Sequence, residues 1–310
     1  MPQPPNLTRL PIIPPGKAQW PWVDESLSLR QIHPNGRPWP RISIVTLSYN
    51  QGEFIEEAIR SVLLQRYPNL EYIVIDGGST DGSVEIIKRY EHELAYWSSK
   101  PDGSPAAGLN KGFQHATGEI LGFLNSDDFY LPGSLHKVGV FFRTHSAVDV
   151  LYGDGYMTEE SGRMREPIFS DIWNLWRMAY GTSVIVQPAT FFRRKAFQKT
   201  NGLSEELSSC WDAGLWADLA LSGATFDYAN DFLGVFRLHS ESITGSGRLG
   251  HHSSRDENAI FNKIMGRRKR PSDHVLGFLL RLLKFMGHPH RTLIYRLFLH
   301  SVRKKAFKPF

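Results

Sequence analysis

The sequence predicts an α/β protein with a mostly parallel, doubly wound sheet, on three observations. Short β-type runs alternate with helical periodicity between residues 42 and 125, the pattern that lays helices on both faces of a parallel sheet. One run, "LEYIVID" at 70–76, is almost continuously apolar, as a strand covered on both faces must be. The chain of 310 residues is 41% hydrophobic, enough to bury one large core or two small ones, which excludes disorder throughout.

The elements follow in order. Ten of the 19 prolines fall within residues 1–40, in "LPIIPPGKAQWPWVDES" and "HPNGRPWPR", so this stretch is expected to be an extended arm pinned by Trp20, Trp22 and Trp39. "ISIVTLS" at 42–48 reads as the first strand, and "GEFIEEAIRSVLLQ" sets Ile55, Ala58, Ile59, Val62 and Leu63 on one helical face. After "LEYIVID" come a helix "GSVEIIKRY", a short segment "LAYWSS", a helical stretch from Ala106 to Ala116 and the strand "EILGFLN". From Leu131 to about Leu249 the pattern is mixed, with "VDVLYGD", "SVIVQPATFFRR", a helical "AGLWADLALSG" and "DFLGVFRLH". No composition break separates this part. The expected organisation is an arm at 1–40, one domain at 41–250 with halves 41–130 and 131–250, and a C-terminal segment at 251–310.

The net charge of +5 is unevenly spread, because residues 263–310 hold thirteen Lys and Arg against Asp273 alone. The rest of the chain is therefore acidic. Leu276, Leu279, Leu280, Leu283 and Phe285 cluster between these cations, and Leu293, Ile294, Leu297 and Phe298 repeat the arrangement. A basic amphipathic helical tail of this kind suits an anionic membrane surface, or packing on the protein body, better than nucleic acid, which has no use for so much Leu and Phe. No run of 18 apolar residues exists, so no span is expected. With one cysteine, Cys210, and no leader-like start, the expected location is cytoplasmic, peripheral on the inner face of the cell membrane.

Open parallel sheets bind ligands beyond the carboxyl ends of their strands. There the sequence places Ser48, Tyr49 and Asn50, then Asp76, Gly77, Gly78 and Ser79, then Asn125, Ser126, Asp127 and Asp128. Adjacent aspartates also arise in turns and helix caps. Beside Asp76, however, two further carboxylates repel unless a hard divalent cation joins them, and such a cation commonly bridges phosphate oxygens.

"ISIVTLSYNQGEFIEEAIRSVLLQRYPNLEYIVIDGGSTDGSVEIIKRYE" followed by "ATGEILGFLNSDDFYLPGSL" resembles the nucleotide-sugar-binding half of family 2 glycosyltransferases, the inverting enzymes of the GT-A fold, a Rossmann-like nucleotide-diphospho-sugar transferase fold. The resemblance covers residues 40 to about 245, and the Pro/Trp-rich arm resembles that of one bacterial branch. It implies a nucleotide-sugar donor, UDP-linked by default, a glycan or lipid-linked hydroxyl acceptor in cell-surface or secreted polysaccharide synthesis, and Mn2+ or Mg2+ as cofactor. By resemblance Asp76 binds the base, while Thr46, Ser48, Tyr49 and Asn50 line the nucleotide pocket with Asp102 beside it. The pair Asp127 and Asp128 matches the DxD element, with Asp127 toward the ribose and Asp128 on the metal. His239, in an "FR-x-H" block, joins the metal or phosphate shell, with Arg237 a further phosphate candidate. Asp212, in "LSSCWDAGLWADLALSG", occupies the catalytic-base position, although it could also cap the helix that follows.

The resemblance breaks in two blocks. Relatives of this branch read roughly D-x-G-Q-S-x-A-x-N-K-G where this chain has "DGSPAAGLNKG", so Ser104, Pro105, Ala106 and Gly108 depart, and Gly214 and Asp218 stand where an acid and an Arg are usual. A sugar nucleotidyltransferase would need a Gly-rich, basic phosphate loop after the first strand, which "SYNQGEF" does not supply. A catalytically silent scaffold at the membrane is the reading from another class. His251 and His252, with Asp256 nearby, match no metal spacing and read as solvated loop.

Overall fold

The computed structural model describes residues 5–23, 38–160, 164–243 and 250–287. The first half supplies strands β1 (Ile42–Ser48), β2 (Leu70–Asp76), β3 (Tyr96–Ser99) and β4 (Ile120–Asn125). The second supplies β5 (Phe129–Tyr130), β6 (Val150–Glu159), β7 (Met164–Ile168), β8 (Thr190–Arg193) and β9 (Phe226–Leu238). Helices are α1 (Ile55–Leu63), α2 (Ser83–Tyr90), α3 (Pro105–His115), α4 (Ser134–Thr144), α5 (Leu175–Ala179), α6 (Arg194–Phe197), α7 (Trp211–Leu221), α8 (Gly250–Met265) and α9 (Pro271–Gly287).

Among the described residues the strands form one sheet in the order β3-β2-β1-β4-β8-β6-β9-β5, with β7 beside β6. The block β3-β2-β1-β4 is wholly parallel, as the alternating pattern predicts. Beyond it β8 is antiparallel to both β4 and β6, while β6 and β9 run parallel with two register shifts. Those shifts break the regular period, which is why the second half reads as mixed.

Period-two alternation divides β1 between two cores. Ile42 and Ile44 pack with α1, α2 and α4, whereas Val45 packs with α3 and α7 on the other face. The α3 side is close-packed. A Cβ on Gly112 would lie 2.3 Å from a Val45 methyl. Gly112→Val is therefore expected to cost about 1–3 kcal/mol by overpacking, read as a lower urea midpoint; an unchanged midpoint would contradict this packing.

Helix α1 departs from the amphipathic expectation, because all nine of its residues are buried. Its polar face lies under the N-terminal arm. The Arg60 guanidinium donates to the carbonyls of Pro21 (3.2 Å), Trp22 (3.0 Å) and Pro11 (3.3 Å), and Glu56 accepts from Arg89 and Tyr90. Trp20 donates its indole N–H to the Tyr130 carbonyl at 2.7 Å. Trp22 and Trp39 are buried, the latter edge-on to Tyr67.

Residues 250–265 form helix α8 rather than the loop expected around His251 and His252. Ile260 and Phe261 are its buried anchors, an i, i+1 pair reinforced by Ile264. Residues 24–37 of the arm, the second amphipathic repeat within 288–310 and the side chains of His251, His252 and Phe285 lie outside what is described. Among the described residues no helix is long and apolar enough to cross a membrane.

Candidate active site

Parallel register brings three strand ends together, with Ser48 opposite Asp76 and Leu47 opposite Asn125. The loops that follow are tied to one another. Asn50, in the left-handed region at φ 49°, accepts from the Thr80 N–H at 2.9 Å, and its own N–H donates to the Ser79 hydroxyl at 2.8 Å. Asn tolerates that backbone better than most residues. Gln51 is hydrogen-bonded to the Ser126 hydroxyl.

Asp76 is fully buried and organises its own loop. Its Oδ2 accepts from the N–H groups of Gly78 (3.0 Å) and Ser79 (2.8 Å) and from the Ser99 hydroxyl (2.6 Å), and its Oδ1 accepts from the Ser79 hydroxyl (2.5 Å). Ser48 Oγ is buried with no hydrogen-bond partner, and the Tyr49 ring stands 63% exposed beside Gly77. The Thr46 hydroxyl is fully buried against the Tyr72 hydroxyl at 2.9 Å. Strand alternation sends Leu47, not Thr46, to the face that carries Asp102.

Asp102 lies between Gly77 and Gly108, bridged to Lys111 at 3.2 Å. A Cβ on Gly108 would fall 2.5 Å from the Asp102 carboxylate and 2.5 Å from a Leu47 methyl. The glycine that departs from the family pattern thus makes room for the acid. Ser104 and Pro105 also have a structural account. Ser104 is the N-cap of α3, accepting from the Ala107 N–H at 3.2 Å, and Pro105 occupies the first helical position, where its fixed φ is favourable. Ala106 is fully buried in the α3-side core.

At the third strand end Asp127 and His239 meet, Oδ2 to Nε2 at 3.1 Å. The histidine therefore faces Asp127 rather than Asp128. Strand β9 pairs with β5, and this brings the Arg237 N–H to Asp128 Oδ1 at 2.9 Å. Burial, and then the Asp127 charge beside it, push the Asp128 carboxyl well above the usual carboxylate range, with Arg237 pulling the other way. Arg237 does not present its guanidinium to a phosphate, because it is buried and committed to the Asp127 carbonyl (2.8 Å), the Glu160 carbonyl (2.7 Å) and Glu57 (2.5 Å). Glu57 in turn accepts from Lys17 at 2.9 Å and the Trp22 indole at 3.0 Å. A continuous chain of contacts thus joins the arm to the aspartate pair.

Two carboxylates and an imidazole at one strand end are oxygen and nitrogen donors that suit Mn2+ or Mg2+. Among the described residues no three His, Cys, Asp or Glu side chains converge as a metal cage. Protein ligands alone would leave most of a coordination sphere to phosphate and water.

Asp212 stands in the first turn of α7 and is half-buried. It is not the cap. The N-cap position is Cys210, with no side-chain cap hydrogen bond, and Asp256 of α8 holds the residues just before the helix, accepting from the N–H of Ser209 (2.7 Å) and Cys210 (3.3 Å) and from the Ser209 hydroxyl (2.9 Å). Burial pushes the Asp212 carboxyl above its ordinary range, against the pull of the Ala213 N–H and its own. One helical turn on, Trp216 packs on Phe123 with ring centroids 6.1 Å apart, which ties α7 to the end of β4. Gly214 admits Leu207, whose methyl would lie 2.4 Å from a Cβ there, and Asp218 is paired with Lys263 at 2.5 Å. Sequence reading missed Gln187. It donates to the Phe123 carbonyl at 2.8 Å and accepts from Asn125 at 3.2 Å; a lone amide in "SVIVQPATFF" was the available signal.

A family model described as Glycosyl transferase family 2 matches residues 43–200. An uncharacterized glycosyltransferase of Mycobacterium tuberculosis (strain ATCC 25618 / H37Rv) is 33% identical over 174 residues, 53% of this chain and 62% of that protein. The chain therefore spans less than two thirds of that relative's length. A Bacillus subtilis (strain 168) glycosyltransferase named for teichuronic acid biosynthesis, TuaG, is 26% identical over 210 residues, 67% of this chain and 82% of that protein. Among solved structures, S. aureus TarS 1-349 with UDP-GlcNAc has a TM-score of 0.56 at 19% identity, covering 80% of this chain and 73% of that one. The mannosyltransferase PcManGT of Pyrobaculum calidifontis with GDP-Man and Mn2+ has a TM-score of 0.56 at 18% identity, covering 87% and 77%. Both show the GT-A fold.

Proposed function

This chain belongs to glycosyl transferase family 2, and from that membership we propose that it moves a sugar from a nucleoside-diphosphate sugar, UDP-linked, to a hydroxyl acceptor with inversion at the anomeric carbon. The observation that carries the reading is the contact of Asp127 with His239 beside Asp128 at the carboxyl end of β4, with Asp76 at the carboxyl end of β2 and β1 pairing in parallel between the two strands. The reading locates the enzyme on the cytoplasmic face of the membrane, in cell-surface polysaccharide synthesis; TuaG is named for teichuronic acid biosynthesis.

Each residue has a chemical task in this reading. Asp76 Oδ1 carries one donor and has a lone pair left for the imide N–H of a uracil, while the Tyr49 ring supplies a stacking face and Ser48 Oγ a free hydroxyl. Asp128 would hold a divalent cation, which supplies charge to the departing diphosphate when bound, while Asp127, hydrogen-bonded to His239, would face the ribose. Asp212 accepts the acceptor's hydroxyl proton. As the O–H bond breaks, the acceptor oxygen forms its bond to the anomeric carbon, and the electron pair of the glycosidic C–O bond leaves with the nucleoside diphosphate. No covalent enzyme intermediate is needed.

Calorimetric titration with UDP, GDP and dTDP, with and without Mn2+, tests the donor half. UDP is expected to bind, more tightly with Mn2+, and Asp128→Asn to remove the Mn2+ increment. Absence of binding by every nucleotide would overturn the reading.

A further inference from the structure

We propose that the outward face of α9, with the segment 171–184 that includes α5, is a docking surface for an anionic lipid bilayer. The inner face of α9 is already seated. Asp273 accepts from both terminal nitrogens of Arg267 (2.6 and 2.8 Å), the Arg270 N–H (2.7 Å) and the Tyr180 hydroxyl (2.9 Å). Leu276 and Leu280 pack beside Tyr180 and Phe261, and Lys284 reaches Asp171 at 2.6 Å. These contacts recur every three to four residues, so they define one side of the helix.

The opposite side carries Val275, Phe278, Leu279, Leu282, Leu283 and Met286, each between 43% and 67% exposed. Helical spacing makes them one stripe pointing away from the protein. Among the described residues only fifteen large hydrophobic side chains are exposed, and these are six of them. Three more, Ile172, Trp176 and Val184, belong to the segment 171–184, which includes α5 and is tied to α9 through Lys284–Asp171 and Tyr180–Asp273. Nine of fifteen on one end of the molecule is a concentrated apolar surface, not the usual scatter.

Charge selects the occupant. Arg268, Lys269 and Arg270 lead into α9 and Arg281 is exposed along it, whereas the single acid in this stretch, Asp273, is buried and paired with Arg267. A cationic rim around an apolar stripe fits acidic head groups over acyl chains, with Trp176 suited to the boundary. Nucleic acid would engage the cations but leave the stripe in water. The helix is too short and too charged to cross, so it lies in the interface.

The test is co-sedimentation of the full chain with vesicles of phosphatidylcholine alone or mixed with phosphatidylglycerol. Binding is expected only to the mixed vesicles and is expected to weaken with salt. Phe278→Ser with Leu282→Ser, both at exposed positions, should lower partitioning at least about tenfold without changing the melting temperature or nucleotide binding. Equal partitioning of variant and wild type would overturn the proposal, as would no binding to either vesicle. Self-association of the wild type that the double variant abolishes, without vesicle binding, would assign the face to a second copy instead. Because nucleotide titration is read separately, failure here leaves the transferase reading standing.

Discussion

Asp212→Asn is expected to lower kcat by about 10²–10⁴-fold while leaving nucleotide affinity unchanged. Asparagine keeps the shape but cannot take a proton, and the chain leading into α7 is held by Asp256 through the N–H groups of Ser209 and Cys210, so the fold keeps its support. The pH dependence separates a base from a bystander. Burial raises the Asp212 carboxyl, and only its ionised form is a base, so turnover should fall as pH drops through a pKa above the ordinary carboxylate value. Stability runs the other way. A carboxyl whose folded pKa lies above its unfolded one favours the protonated folded state, so wild-type stability declines as pH rises from the unfolded to the folded pKa. Asn carries no such penalty, and the variant should melt no lower than wild type at neutral pH. A kcat within a few-fold of wild type would remove Asp212 from the chemistry.

The second large effect is expected on stability, from Glu57→Leu, at about 3–5 kcal/mol. Burial alone would raise the Glu57 carboxyl, yet Arg237, Lys17 and Trp22 together hold it below its ordinary value. Its contribution is therefore present above the unfolded pKa and lost as pH falls through the depressed folded one. Removing it strands the buried Arg237 guanidinium. The double variant Glu57→Leu with Arg237→Met should recover much of the stability, because a buried ion pair replaced by apolar groups is often near neutral. It should still bind nucleotide poorly with Mn2+, since the Arg237 hold on the Asp127 carbonyl is gone. Urea unfolding and calorimetry read the two effects; a Glu57→Leu cost under about 1 kcal/mol would show that the pair is not a keystone.

What the sequence made legible was local. Strands β1 and β2 match their expected spans because continuous β-type runs bounded by polar residues have one reading, and the strand-end acids follow from those bounds. Parity was harder: Thr46 and Leu47 are neighbours, and only the register settles which faces Asp102. The buried polar face of α1 was not visible either, since the arm that covers it is distant in sequence. The same holds for His239, whose partner is Asp127 because β9 pairs with β5, and for Asp256, which reaches back from α8 to hold Ser209 and Cys210 at the start of α7. Of the family departures, Ser104, Pro105, Gly108, Gly214 and Asp218 each have a packing, capping or charge partner, so none by itself speaks for a silent scaffold.

The most direct measurement is turnover with a panel of nucleotide sugars and glycan acceptors in Mn2+, following nucleoside diphosphate release and the anomeric configuration of the product by NMR. Release from a UDP-sugar with a product of inverted configuration is the expected result. Retained configuration, or no release from any donor that binds, would contradict it.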